Sequence, residues 1–271
     1  MISYRTITRP IHSLLYRLPI MPWLLGVSGH YRVITRDDAL LFSRKGWQNP
    51  LTASRQKQAY KLLMEDMYLG QTRLDLKLAA QGVKLTRLEN PSILEIGCGN
   101  GYYVEVFEHL LGFPFTYLGT DYSQAMIDTA RKCYPKYSFE VADACKLPYA
   151  DHSIDIVFNG VSLMHILDFE KAINESKRVA KMFCLYHSVP VFENGETTYL
   201  QKYAYGAQVV EVIFNRNHLI KLFKQAGLSV QESWRSIPYD VYPATNVHSH
   251  TETFLLKVER TKRKKMESIQ V

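Results

Sequence analysis

Ser92-Ile93-Leu94-Glu95-Ile96-Gly97-Cys98-Gly99-Asn100-Gly101 is a short apolar run carrying one acid, followed by three glycines at alternate positions. The run reads as a buried parallel strand. The glycines read as a loop that presses its backbone against a ligand, because they tolerate positive φ and carry no side chain to hold a ligand away. The spacing narrows the ligand. A dinucleotide fingerprint is G-x-G-x-x-G, with a pyrophosphate on the following helix. Counted from Gly97, its last glycine falls on Tyr102; counted from Gly99, it falls on Val104. The pattern here is E-x-G-x-G-x-G. Neither register completes the fingerprint, which weighs against a nicotinamide enzyme.

Outward from this stretch, Asn90-Pro91 marks a boundary. Upstream, Ala59, Leu62, Leu63 and Met67 stand at helical spacing and predict a helix over 53–69, stopped by Gly70. A second helix is predicted over 72–81, capped by Gly82. Downstream, strand-like runs at 93–96, 115–120, 138–141, 154–159 and 182–188 alternate with helix-like runs at 102–111, 123–133 and 168–180. That alternation predicts an α/β fold, a doubly wound parallel sheet covered on both faces. After Val191 the rhythm changes. Residues 192–206 are polar and aromatic without clear periodicity, 215–225 reads as a helix ended by Gly227, and strands follow at 229–237 and 253–259. The expected organisation is an N-terminal helical cap over 1–90, a main domain over 91–259, and a basic, disordered tail over 260–271.

In such a sheet, ligands bind at the carboxyl ends of the strands. Glu95 and the glycine loop end the first. Asp121 ends the second, 20 residues past Gly101, where an acid can accept from both hydroxyls of a ribose. Asp143 ends the third, where an acid can accept from an adenine amino group while the Ala144 N–H faces a ring nitrogen. Asn159 ends the fourth, followed by Leu163-Met164-His165. An acid or amide thus marks each of the first four strand ends.

With these residues the chain resembles the class I S-adenosylmethionine-dependent methyltransferases, in particular their small-molecule type 11 branch. The resemblance rests on Leu94–Gly101, Gly119-Thr-Asp-Tyr-Ser123, Ala142-Asp-Ala144, Asp155-Ile-Val-Phe158 running to His165-Ile166, Glu175-Ser-Lys-Arg-Val179 and the late helix Leu219–Gly227. It implies a Rossmann-like, seven-stranded, mostly parallel sheet with the last strand antiparallel. It implies S-adenosyl-L-methionine as cofactor, with Gly97, Gly99 and Gly101 at its methionine part, Asp121 at the ribose and Asp143 at the adenine. Tyr122 and Met126 would flank the purine, and Glu95, Ala144 and Asn159 complete the expected cofactor set. Two departures stand out. Many relatives turn through Pro-Gly-Gly after the helix that follows strand four, whereas here Arg178-Val-Ala-Lys-Met-Phe runs straight on. The Asn/Asp-Pro-Pro-aromatic motif of N-methylating members is replaced by Asn159-Gly-Val-Ser, so amino- or base-directed chemistry loses support.

A hydroxyl acceptor needs a base. His165 is the leading candidate and His187, at the end of the fifth strand, the second, because an imidazole titrates near neutrality. Tyr203 and Tyr205 are candidates for the acceptor pocket, and Trp47 and Tyr60 for a lid. His248 and His250 share one side of an extended segment, but no carboxylate and histidine set completes a metal site, so no metal is expected. The expected acceptor is an oxygen of a sugar, a glycolipid precursor or a secondary metabolite. RNA methylation and non-catalytic cofactor binding are the alternatives.

Composition bounds these readings. With 46% hydrophobic and 22% charged residues, a chain of 271 residues can bury a sizeable core and is not a disordered one. Four cysteines without a C-x-x-C pair read as reduced cytosolic thiols, which fits a cytoplasmic protein. Residues 11–27 are apolar but broken by Arg17, Pro19 and Pro22, and so lack the uninterrupted centre of a secretory signal. They are expected to pack as a cap. The alternative is a peripheral contact of residues 1–30 with the inner membrane surface, where Arg5, Arg9 and Arg17 would meet headgroups. The net charge of +7 is uneven: +8 over 1–90, −5 over 91–180 and +4 over 181–271. An acidic centre suits a cationic ligand, and basic flanks are what an RNA partner would need.

Overall fold

The computed structural model describes residues 31–43 and 45–259. The expectations for residues 1–30 and for the tail 260–271 fall outside the described residues.

The N-terminal part contributes strand β1 (Arg32–Ile34) and helices α1 (Arg36–Phe42), α2 (Pro50–Tyr68) and α3 (Leu74–Leu85). Asn49 starts α2: its side chain accepts from the Leu51 N–H at 2.9 Å, and Pro50 supplies the first helical residue, where a missing N–H costs nothing. The alternating part follows as β2 (Ser92–Ile96), α4 (Tyr102–Leu110), β3 (Thr116–Asp121), α5 (Gln124–Cys133), β4 (Ser138–Val141), β5 (Ile154–Gly160), a 3-10 turn (Leu163–His165), α6 (Phe169–Val179) and β6 (Ala180–Phe192). The chain closes with β7 (Thr198–Ala204), β8 (Ala207–Asn215), α7 (Arg216–Gln225), β9 (Leu228–Arg235), α8 (Tyr242–Thr245) and β10 (Ser249–Val258).

The central sheet runs β4-β3-β2-β5-β6-β10-β9. Its first five strands are parallel, and β10 is antiparallel to both β6 and β9. This is the expected seven-stranded arrangement. Strand alternation sends successive side chains to opposite layers. Leu94, Val157, Cys184 and Tyr186 pack with Ile173 and Phe223 on the side of α6 and α7. Ile93, Phe158 and Leu185 pack with Leu76, Phe107 and Ile127 on the side of α3, α4 and α5. Because both faces are covered, the strands read as nearly unbroken apolar runs.

Three further strands depart from the sequence reading. Residues 192–206, read as aperiodic, supply β7 and the turn of the β7–β8 hairpin, β1 pairs with β7, and β8 joins the far end of β6 at Val191–Phe214 and Phe192–Asn215. The hairpin turns on Tyr205 and Gly206, both at positive φ (50° and 81°), with Ala204 facing Ala207. A two-residue turn of this kind usually announces itself as Asn-Gly or Asp-Gly; Tyr-Gly does not. The Tyr203 hydroxyl donates to the Gly206 carbonyl at 2.8 Å and fastens the turn.

The absent Pro-Gly-Gly turn is also accounted for. Arg178 donates to the carbonyls of Tyr149 and Leu147 and to Glu175 and Asp151, tying the end of α6 to the preceding loop. The chain then passes from α6 directly into β6.

Gly101 caps α4 at φ 83°, and a Cβ there would stand 2.7 Å from the Phe139 ring and 3.3 Å from Ala130. Gly101→Ala combines left-handed strain with overpacking. It is expected to cost about 2–3 kcal/mol, read as a lower urea midpoint with unchanged slope.

Candidate active site

A cavity of about 470 Å³ opens at the carboxyl ends of β2, β3, β4 and β5, where the sheet topology places a ligand site. Gly97 and Cys98 line it after β2, Asp121 and Tyr122 after β3, and Asp143 and Ala144 after β4. Gly97 sits at φ 67°, and a Cβ there would come 2.4 Å from the Ser162 Cβ. Ser162 in turn donates to the Ile96 carbonyl at 2.6 Å, so the loops after β2 and β5 are fastened to each other. Glycine at 97 is therefore required by this close approach.

Asp121 organises the floor. Its two carboxylate oxygens accept from the Gly99 N–H at 3.0 Å and the Ser123 N–H at 2.8 Å. It thus holds the glycine loop against the start of α5. Burial pushes its carboxyl up to about 6, while the two N–H donors work in the opposite direction. The Ser123 hydroxyl donates to the Trp47 carbonyl at 2.8 Å and so attaches the N-terminal region to the site. Asp143 accepts from the Cys145 N–H at 2.8 Å, which orients its carboxylate in the loop after β4. Met126, 1% exposed, lines the cavity from the first turn of α5.

The N-terminal helices roof the cavity. Tyr60 of α2 stacks on Tyr102 of α4, with ring centroids 3.9 Å apart and planes at 17°. Trp47 meets His165 edge-on at 4.7 Å and Tyr205 at 5.9 Å. Gln56 and Arg73 also line this roof, and Arg73 Nε donates to Asp75 at 2.7 Å. Two buried polar atoms of the roof, Gln56 Oε1 and Trp47 Nε1, have no hydrogen-bond partner among the described residues. A buried orphan of this sort normally has a partner. An adenosine-linked amino acid bearing a positive sulfur fits the set: carboxylates at β3 and β4 for ribose and base, apolar Met126 beside the purine, and an orphan amide carbonyl over the glycine loop.

His165 follows β5. Its Nδ1 lies 2.9 Å from the Val210 carbonyl, which can only accept, so Nδ1 carries the proton and Nε2 keeps its lone pair. Burial holds the imidazole below its usual 6.5, while the charge of Glu211 and the Val210 carbonyl pull it back up. It is a neutral base at physiological pH.

Five sequence-derived site residues do not line the cavity in this structure. Glu95 is 1% exposed, accepts from the Tyr117 hydroxyl and lies beneath Gly160; burial pushes its carboxyl well above the usual range. Gly99 abuts the Gln56 side chain and Gly101 the Phe139 ring. Asn159 caps the 3-10 turn, its Oδ1 accepting from the Leu163 N–H at 2.7 Å. His187 is fully buried, with Nδ1 2.9 Å from the Thr253 hydroxyl and Nε2 3.2 Å from the Ser188 hydroxyl, and burial lowers it to about 4. A base needs access to the acceptor proton, and His187 has none. Among the secondary candidates, Trp47, Tyr60 and Tyr205 line the cavity, whereas Tyr203 serves the hairpin turn. His248 pairs with Asp240 at 2.7 Å, away from the cavity. No cluster of three or more His, Cys, Asp or Glu that could hold a metal occurs among the described residues.

Lys202, Glu211 and Tyr239 form a cavity wall that the sequence reading missed. One signal was present: Glu211 is a single acid inside Val209-Val210-Glu211-Val212-Ile213-Phe214, an otherwise apolar run.

Comparison with known proteins points to the same class of cofactor. Residues 94–182 match a family model described as a methyltransferase domain, of type 11. A probable S-adenosylmethionine-dependent methyltransferase of Mycolicibacterium smegmatis is 28% identical over 35% of this chain and 36% of its own length. A malonyl-[acyl-carrier protein] O-methyltransferase of Buchnera aphidicola is 34% identical over 38% of this chain and 41% of its own. The chain thus spans well under half the length of these curated relatives. Among solved structures, a magnesium protoporphyrin IX methyltransferase from Synechocystis with bound cofactor superposes with a TM-score of 0.53. It is 13% identical, over 76% of this chain and 90% of that one, a likeness of fold.

Proposed function

Residues 94–182 are a class I S-adenosylmethionine-dependent methyltransferase domain, and from that premise we propose that the chain transfers a methyl group to an oxygen of a small-molecule acceptor. Sugars, glycolipid precursors and secondary metabolites are the acceptor classes of this reading. One observation carries it: His165, neutral and with Nε2 free of its Val210 bond, lines the same cavity as Gly97, Asp121 and Asp143.

The cofactor, when bound, supplies a methyl group already made electrophilic by its sulfonium sulfur. What is left to the protein is alignment, exclusion of water and removal of the acceptor proton. Asp121 would accept from the ribose hydroxyls, Tyr122 and Met126 would flank the adenine, and Asp143 with the Ala144 N–H would read its edge. The backbone at Gly97 would pass beside the methionine part. His165 Nε2 takes the hydroxyl proton, and the imidazolium so formed keeps its bond to the Val210 carbonyl beside the charge of Glu211. Trp47 and Tyr60 close the site from above, which keeps water out.

Calorimetry tests the premise: S-adenosylmethionine should bind with a micromolar-range Kd, and NAD should not. Preferential binding of NAD, or no binding of S-adenosylmethionine, would overturn the reading. Tritiated-methyl transfer into a fractionated extract of the source cell then identifies the acceptor.

A further inference from the structure

We infer that the acceptor of this site is a planar phenol or enol with a second oxygen on the neighbouring carbon, that oxygen being held by the Lys202 ammonium. The inference rests on the proposed methyl transfer and narrows its substrate.

Lys202 of β7 and Glu211 of β8 form an ion pair in the cavity wall, with side chains 14% and 2% exposed. Tyr239 donates its hydroxyl to the second oxygen of Glu211, so both carboxylate oxygens are engaged. Lys202 also reaches the Tyr31 hydroxyl at 3.4 Å. An ammonium has three hydrogens, and these two bonds account for two of them.

Burying such a pair is expensive. The desolvation of two ions commonly cancels their attraction, and well-packed apolar residues would hold the wall at least as well. Packing alone therefore does not explain the pair. What it does provide is a fixed cation in a ligand cavity, oriented by Glu211 and Tyr239. His165, whose Nδ1 is fixed on the carbonyl of the residue next to Glu211, stands close by. The acceptor end thus presents one base for a hydroxyl and one cationic donor for a second oxygen.

The rest of that end argues against a polyol. Trp47, Tyr205, Leu63 and Ile237 give it flat and apolar surfaces. Few of its polar groups are open: Glu211 is spent on Lys202 and Tyr239, Ser188 on Ser236 at 2.9 Å, and the Trp47 Nε1 is the one buried donor there left without a partner among the described residues. A sugar brings several hydroxyls, and each one buried without a partner is penalised. A flat ring with two adjacent oxygens asks only for His165 and Lys202, and lays its faces against aromatic side chains.

Binding in the presence of S-adenosylhomocysteine tests this, with 1,2-dihydroxynaphthalene, 2-naphthol and methyl glucoside as probes. The diol should bind best, and Lys202→Met should weaken it about tenfold or more while leaving 2-naphthol unchanged. Because an unpaired Glu211 could unfold that variant, Lys202→Met/Glu211→Gln, which removes both charges, should show the same selective loss. Unchanged diol affinity in the folded double variant, or preference of the wild type for methyl glucoside, overturns the inference. Failure of S-adenosylhomocysteine itself to bind overturns the proposed methyl transfer as well, and so separates the two.

Discussion

His165→Gln should lower the rate of methyl transfer by about 10²–10⁴-fold, the usual worth of a positioned general base, while S-adenosylmethionine binds within about twofold of the wild type. The glutamine can keep the hydrogen bond to the Val210 carbonyl, so the wall is retained and only the proton acceptor is lost. A pH profile makes the assignment specific. The rate should rise with pH as the imidazolium deprotonates, along a limb centred below 6.5, because burial disfavours the charged ring. Glu211 is the largest influence that raises His165, and Lys202 opposes it. Glu211→Gln should therefore move the limb to lower pH. An unchanged rate in His165→Gln, or a limb that ignores Glu211→Gln, would remove the general-base role.

Much of this site is legible in the sequence because it is built from short-range patterns. The strand and loop at 92–101, Asp121 and Asp143 each announce a strand end, and periodic apolar runs place both layers of the core. What the sequence does not give is depth. Glu95 and Asp121 are both acids at strand ends, yet Tyr117 draws Glu95 behind the sheet while Asp121 opens on the cavity. His165 and His187 differ in the same way: one meets a carbonyl on a cavity wall, and the other is enclosed by Thr253 and Ser188. The acceptor wall escapes for a topological reason. Lys202 and Glu211 come together across a hairpin whose Tyr-Gly turn carries no strong signal. Tyr239, from the loop after β9, completes the group through a contact 28 residues distant in sequence.

Asp121→Ala should weaken S-adenosylmethionine by about 10²–10⁴-fold, the sum of two hydrogen bonds from ribose hydroxyls to a charged oxygen acceptor. The unliganded variant should change far less in stability, because two effects oppose each other. The folded-state carboxyl is raised from 3.8 to about 6, so its stabilising contribution is complete below pH 3.8 and lost as pH climbs through 6. At neutral pH the ionised group therefore costs about 3 kcal/mol of folding free energy. Its removal relieves that cost but strips the Gly99 and Ser123 N–H groups of their acceptor, at about 1–3 kcal/mol for each group left buried. Urea unfolding without ligand should thus show a net change between about 1 kcal/mol of gain and about 3 kcal/mol of loss, because the two effects largely offset each other. The same titration predicts how the wild type responds to acid. In the proposed binding mode ribose hydroxyls would donate to the carboxylate, so affinity should fall as pH drops below about 6, and the thermal stabilisation given by the cofactor should be larger at pH 8 than at pH 5.5. A cofactor-induced shift that stays flat across this range, with Asp121→Ala binding as tightly as the wild type, would mean that the acid serves the glycine loop alone.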